Sequence, residues 1–276
     1  MASRVAASGT IRAAARCLLA MLRSTRPMSS LVAATVSSGV AFARTGFSLR
    51  GILAGLAMFA LTAFGFQVND VLDYRKDRAA GVQRPIATGI LSRKAAMLFA
   101  GALLLLTFAA SAWVGRGAKV LAVTSLALIF YTPAAQRLPL VKGLYVALLC
   151  VAPLYYGSVV SNAHFPLPPY ALLVAFIVGR EAFMDSNETR GDRGAGMVTI
   201  GAVLGETRAK RASICLMALS MAIFVALASG VIAKTAATLA LVSLLCVFIW
   251  PRLDDTKRIE LSRIPMLAAA VAIACG

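Results

Sequence analysis

Acidic residues are few in this chain and come late. Eleven Asp and Glu stand among 276 residues, and none precedes Asp70. Histidine occurs once, at His164, which leaves no material for a His-based triad or a His-rich metal site. Charged residues make up 14% of the chain, against about a quarter in soluble domains. Cys17, Cys150, Cys215, Cys246 and Cys275 lie far apart without C-x-x-C or Cys/His ligand spacing, so they read as reduced residues of apolar segments. What abounds is apolar: 60% of the residues are hydrophobic and the mean hydropathy is +0.82. This excludes an ordinary soluble domain. It describes a polytopic membrane protein, whose spans are helical because lipid offers backbone groups no hydrogen-bond partner. The formal net charge of +17 does not point to nucleic acid, because the Lys and Arg are spread among loops and not gathered with aromatics.

The scarce acids are concentrated. The stretch 69–89 reads NDVLDYRKDRAAGVQRPIATG and follows the apolar run 51–66. On a helix, Asp70, Asp73 and Asp77 fall within roughly 60° of one another. Carboxylates so placed repel one another and need a cation, and oxygen ligands suit Mg²⁺. Asp185, Glu188 and Asp192 repeat the spacing after a second apolar run, 170–178. The tails match as well: Asp77-Arg78-Ala79-Ala80-Gly81 against Asp192-Arg193-Gly194-Ala195-Gly196. A single cluster reads equally well as a solvated helix end. The repetition argues for two related halves, each bringing an acidic helix end to one shared site.

The expected fold is all-α and polytopic, with about nine transmembrane helices in a bundle built from two related halves. The spans are 28–43, 51–68, 95–113, 118–132, 143–161, 168–184, 211–229, 231–250 and 262–276. Residues 1–26 form a basic segment carrying Arg4, Arg12, Arg16, Arg23 and Arg26. It reads as an interfacial amphipathic helix, with a mitochondrial presequence as the alternative. Residues 27–276 form the membrane domain. Alternate threading puts all eleven acids on one side, with every Lys and Arg except Arg44, Arg50, Arg116, Lys119 and Lys234. By the positive-inside rule that side is the cytoplasm of a bacterial or archaeal inner membrane, or the matrix if the protein is mitochondrial.

Acids and surplus cations on one face suit a metal-bridged polyphosphate, with Mg²⁺ on carboxylates and phosphate oxygens and Arg on the remaining oxygens. The candidate phosphate ligands are Arg84, Arg137, Lys142, Arg180 and Arg193. Any one of them also reads as an ordinary positive-inside anchor. Arg84 stands out through its neighbours Pro85, Thr88 and Gly89, and Arg180 because it adjoins Glu181 at a span end, where a polar pair is costly.

Asn69, Asp70, Asp73 and Asp77 resemble the N-D-x-x-D-x-x-x-D signature of the UbiA superfamily of intramembrane prenyltransferases. Arg84-Pro85-Ile86-Ala87-Thr88-Gly89 resembles the segment that follows it. Arg180-Glu181, Asp185, Glu188, Gly191-Asp192-Arg193, Gly196 and Thr199 resemble the family's second Asp-rich loop. Tyr131-Thr132-Pro133 with Arg137 and Lys142 is similar to its tyrosine-plus-lysine segment. The resemblance covers about residues 20–276. It departs from the pattern at Glu188, where Asp is usual, and at Ala135 and Gln136, where a Lys is usual and Arg137 is the nearby replacement.

The resemblance implies Mg²⁺-dependent transfer of a prenyl group from an isoprenoid diphosphate. It implies two ions, one on Asn69, Asp73 and Asp77 with Asp70 beside them, the other on Asp185, Glu188 and Asp192. Asp73, Asp77, Asp185, Asp192, Arg84 and Tyr131 would take part in catalysis. Phe66, Tyr131, Tyr155, Tyr156 and Phe183 are candidates to face an allylic cation, although each also reads as packing. The expected acceptor is aromatic, a phenol, hydroxybenzoate or quinone precursor, with lipid acceptors in the same branch. A membrane terpene cyclase would use the same motifs without an acceptor. A transporter fits less well, because the acids sit at span ends and not at mid-bilayer.

Overall fold

The structure, a computed structural model, describes residues 16–79, 81–137, 139–163, 167–187 and 200–275. All regular structure among them is helical. Helices Pro27–Thr45, Leu49–Leu72, Arg93–Val114, Ala118–Arg137, Pro139–Val160, Leu167–Asn187, Glu206–Leu227, Val231–Ile249 and Arg263–Cys275 lie on the nine expected spans. Six of these carry a stretch long and apolar enough to cross a membrane, and Ala118–Ala134 is apolar but shorter. Pro27–Thr45 has 19 residues, but its Ser and Thr dilute the hydropathy. Arg263–Cys275 has 13 residues, about 20 Å of helix against a ~30 Å hydrocarbon core. The chain is an all-α, polytopic integral membrane protein.

Contacts divide the chain into two compact units, Met1–Thr35 with Ile52–Thr132, and Val36–Gly51 with Pro133–Gly276. The first acidic motif belongs to the first unit and Asp185 to the second. In the first unit, the helical residues 16–24 are tied to Leu49–Leu72 by a hydrogen bond between Gln67 and Ser24. Ala20, Val71, Ile86, Leu91 and Ala96 form a small buried cluster beneath the loop that follows the motif.

The second unit holds the larger core, including Leu173, Phe176, Met217, Met221 and Phe224. Gly179 lets Leu167–Asn187 and Glu206–Leu227 approach closely: a Cβ there would lie 3.1 Å from the Ser213 carbonyl oxygen and 2.9 Å from Met217 Cγ. Close approach at small residues is how membrane helices gain contact in the absence of a hydrophobic drive. Gly179 thereby sets the helix turn that carries Arg180.

Near one end of this unit, Lys210 Nζ lies 2.7 Å from Asp255 Oδ2 and 2.6 Å from Glu206 Oε1. Arg258 Nη1 lies 3.3 Å from Asp255 Oδ1. Burial opposes the charge on Asp255, but the hydrogen bonds and charges of Lys210 and Arg258 outweigh it and hold the carboxyl below its ordinary range. A lowered carboxyl contributes stability that is present above the unfolded-state pKa and lost as pH falls through the folded one. The melting-temperature difference between wild type and Asp255→Asn should therefore be constant above about pH 5 and shrink below about pH 4. A pH series of melts in detergent checks this.

Candidate active site

The first motif straddles a helix break. Leu49–Leu72 ends one residue before Asp73, and Tyr74–Ala79 resumes one residue after it. The helical hydrogen bonds nevertheless continue, from Asp73 N–H to Asn69 O and from Asp77 N–H to Asp73 O, each at 2.8 Å. The spacing that places the acids on one face therefore survives the break.

The chain then reverses at Gly81. Its φ is +67°, Val82 N–H donates to Asp77 O at 2.9 Å and Gly81 N–H to Arg78 O at 3.3 Å, which is the bonding of a Schellman C-cap. Glycine is suited here because the left-handed conformation strains any residue with a Cβ. The reversal brings Arg84 back over the motif. Its Nη1 lies 3.1 Å from Asp70 Oδ1 and 2.7 Å from Asp77 Oδ2. The loop that holds Arg84 is itself anchored. Ile86 and Leu91 are buried, Leu91 N–H donates to Pro85 O, and both the backbone N–H and the hydroxyl of Thr88 donate to Arg84 O. Pro85, Ile86 and Thr88 thus help to hold the loop that carries the guanidinium.

Asp70 is 3% exposed and also receives Arg26 Nη2 at 3.0 Å, so two arginines neutralise it. Arg26 further stacks over Phe66, 4.4 Å from the ring centroid. Thr132 donates to Asn69 Oδ1 at 2.8 Å, and Asn69 hydrogen-bonds Asp73. Burial raises the Asp73 carboxyl, aided by Asp77 and opposed by Lys76 and Arg84. Asn69, Asp73, Asp77 and Arg84 are therefore brought together as expected, with Tyr131 next to Thr132. Asp70, expected beside the metal ligands, is the buried anchor for two guanidinium groups. Among the described residues no three His, Cys, Asp or Glu side chains gather around one point. The set still fits Mg²⁺, which binds through one or two carboxylates and completes its shell with water and phosphate oxygens. Asn69 Oδ1, Asp73 and Asp77 supply oxygen donors only.

In the second unit, Lys142 Nζ lies 2.7 Å from Asp185 Oδ1. Arg180 is bonded within the chain on all three nitrogens: Nε to Ser262 Oγ at 2.9 Å, Nη1 to Glu181 Oε1 at 3.0 Å and Nη2 to Ile259 O at 3.3 Å. Arg180, expected to hold phosphate, thus joins the end of Leu167–Asn187 to the connection before Arg263–Cys275. Glu188, Asp192 and Arg193 lie outside the described residues, as does the side chain of Arg137. Of the aromatic candidates, Tyr156 and Phe183 are buried in the second unit, Phe183 edge-on to Phe248 at 5.1 Å, and Tyr155 is exposed. Phe66 lies under Arg26, which pairs with Asp70 of the first motif.

The sequence reading missed Arg26, Gln67 and Thr132 as parts of the site. The signal available for Arg26 was its place directly before Pro27; in the structure its φ is +46°, in a turn between two helices.

The first motif is thus an oxygen-rich helix end under a fixed arginine. A model of the UbiA prenyltransferase family matches residues 30–270, and the chain belongs to that family of prenyltransferases. It is 30% identical over 186 residues to a digeranylgeranylglyceryl phosphate synthase of Methanoregula boonei, covering 66% of this chain and 67% of that protein. It is 31% identical over 160 residues to the enzyme of that name from Pyrococcus abyssi, covering 57% of each, so the match spans just over half of that relative. Among solved structures, a digeranylgeranylglyceryl phosphate synthase superposes with a TM-score of 0.69 at 18% identity, covering 93% of this chain and 98% of that one. A UbiA homologue from Archaeoglobus fulgidus bound to DMAPP and Mg²⁺ gives 0.68 at 20% identity, covering 92% and 98%. At these identities the two structures speak for the fold.

Proposed function

We propose that the chain transfers a prenyl group from an isoprenoid diphosphate to the hydroxyl of a glycerol phosphate lipid precursor, on the cytoplasmic face of the membrane. The observation that carries the donor half is the Asn69–Asp73–Asp77 helix end with Arg84 folded back over it. The curated relatives move the acceptor away from the aromatic compound expected from sequence. They are named for digeranylgeranylglyceryl phosphate, and a second prenyl ether on glyceryl phosphate forms by joining a glycerol hydroxyl to an allylic diphosphate. The charge asymmetry of the loops supports the cytoplasmic face.

Asn69, Asp73 and Asp77 would hold one Mg²⁺, and Asp185 with Glu188 and Asp192 a second, the latter assignment resting on the repeated spacing alone. Bound there, magnesium would neutralise the diphosphate and make it a competent leaving group. Arg84, fixed by its loop, donates to diphosphate oxygens that compete for its present carboxylate partners. Asp70 keeps Arg84 and Arg26 oriented when Asp77 turns to the metal. Lys142 exchanges Asp185 for phosphate in the same way. Phe66 presents a ring to positive charge developing at the allylic carbon, a use its present contact with the Arg26 cation illustrates. The acceptor oxygen then bonds to C1 of the prenyl group, the C1–diphosphate oxygen bond breaks, and the hydroxyl proton leaves to diphosphate or water.

The test is pyrophosphate release in nanodiscs from geranyl, farnesyl and geranylgeranyl diphosphate, with phenolic acceptors in one arm and a prenylated glycerol phosphate in the other. Release that depends on the glycerol phosphate supports the proposal. Dependence on a phenol restores the aromatic reading, and acceptor-independent release with a hydrocarbon or alcohol product shows a cyclase.

A further inference from the structure

A second feature of the chain lies within the second unit, far from Asp185. A cavity of about 430 Å³ opens at the other end of the second unit. Its walls are mostly apolar, among them Phe224, Leu227 and Ile273, and its one charged lining residue is Arg44. Arg44 sits in the last turn of Pro27–Thr45, and Pro168 of the wall begins Leu167–Asn187. Asp185 lies at the far end of that same helix, about 25 Å along the axis at 1.5 Å per residue.

Three observations fix the chemistry of what fits there. Among the described residues Arg44 makes no ion pair. Alternate threading places no Asp or Glu side chain on this side of the membrane. Within a few residues of the lining in sequence, Phe47, Leu49, Leu167, Val231 and Ile232 are exposed by 66% or more. An anion carried on an apolar molecule complements this combination of an arginine without an ion pair among the described residues and an apolar wall. A guanidinium matches a phosphate with two parallel hydrogen bonds. The wall and the exposed apolar residues match hydrocarbon chains.

We infer that this cavity is a binding site for an anionic glycerophospholipid of the leaflet opposite the acidic motifs, with Arg44 on the phosphate and Phe224, Leu227 and Ile273 against the chains. The hydroxyl of Ser229, also in the lining, is a second donor for the headgroup. The site is separate from prenyl transfer and holds whether or not the proposed acceptor is correct.

The test is native mass spectrometry of the full chain in a mild detergent, incubated with equimolar phosphatidylglycerol and phosphatidylcholine of identical chains. Retained phosphatidylglycerol should exceed phosphatidylcholine by about tenfold, the worth of a charge-assisted contact. The preference should vanish in Arg44→Gln and persist in Arg50→Gln, which removes the same charge from the same side outside the cavity. Equal retention of the two lipids by wild type would overturn the inference. So would an undiminished preference in Arg44→Gln, or its loss in both variants alike, which would show a general charge effect.

Discussion

Asp73→Asn should lower prenyl-transfer turnover by about 10³-fold and leave the melting temperature near that of wild type. Asp73 stands at the helix break, bonded through its backbone to both Asn69 and Asp77 at 2.8 Å, so the three oxygen-bearing side chains share one face. Asn preserves shape and hydrogen bonding to Asn69 but removes the anion that a Mg²⁺ ligand must supply. Asp70→Asn is the informative contrast. Its carboxylate is 3% exposed and holds two arginines. Its loss should lower the melting temperature clearly, and turnover only through misplaced Arg84. If Asp70→Asn kills turnover at full stability and Asp73→Asn does not, the division of labour within the motif is reversed.

Arg84→Ala carries the second large expected effect, on stability and activity together. One Nη1 nitrogen serves Asp70 and Asp77, at 3.1 Å and 2.7 Å. Removing it leaves Asp77 without that partner and Asp70 with Arg26 alone. Breaking a buried ion pair by deleting one partner costs about 3–5 kcal/mol, and the figure here belongs at the low end because Arg84 is 31% exposed. Diphosphate affinity should fall as well, since Arg84 is the fixed cation over the proposed metal ligands. Arg84→Lys should recover much of the stability and less of the activity, because an ammonium cannot reproduce the planar fork. Melts with and without donor diphosphate separate the two effects. An Arg84→Ala protein with unchanged melting and unchanged donor response would remove Arg84 from the site.

The parts of this protein that were legible in its sequence are those with local signals. The nine apolar stretches each lie on a helix because a span must satisfy its own backbone. Arg84 could be picked out because it lies 7 and 14 residues from its two carboxylates, inside one stretch of unusual composition. Residues whose partners are distant in the chain carry no such local signal. Thr132 reaches Asn69 across 63 positions, Arg26 reaches Asp70 across 44, and Arg180 reaches Ser262 across 82. Nothing in a local window reports such pairs. Arg26 therefore looked like one more charge in a basic arm, and Arg180 like a free clamp. Asp70 was grouped with the metal ligands because helical spacing shows which face a carboxylate is on, but not which cation it meets there.

The most direct measurement is a magnesium titration of pyrophosphate release in nanodiscs, with wild type and Asp73→Asn side by side, donor and acceptor saturating. The wild type should show no release in EDTA and a saturable rise with Mg²⁺, and the variant should stay near baseline across the same range. Full release in EDTA, or superimposable curves for the two proteins, would contradict the assignment of the Asn69–Asp77 helix end as the seat of a magnesium-held prenyl diphosphate.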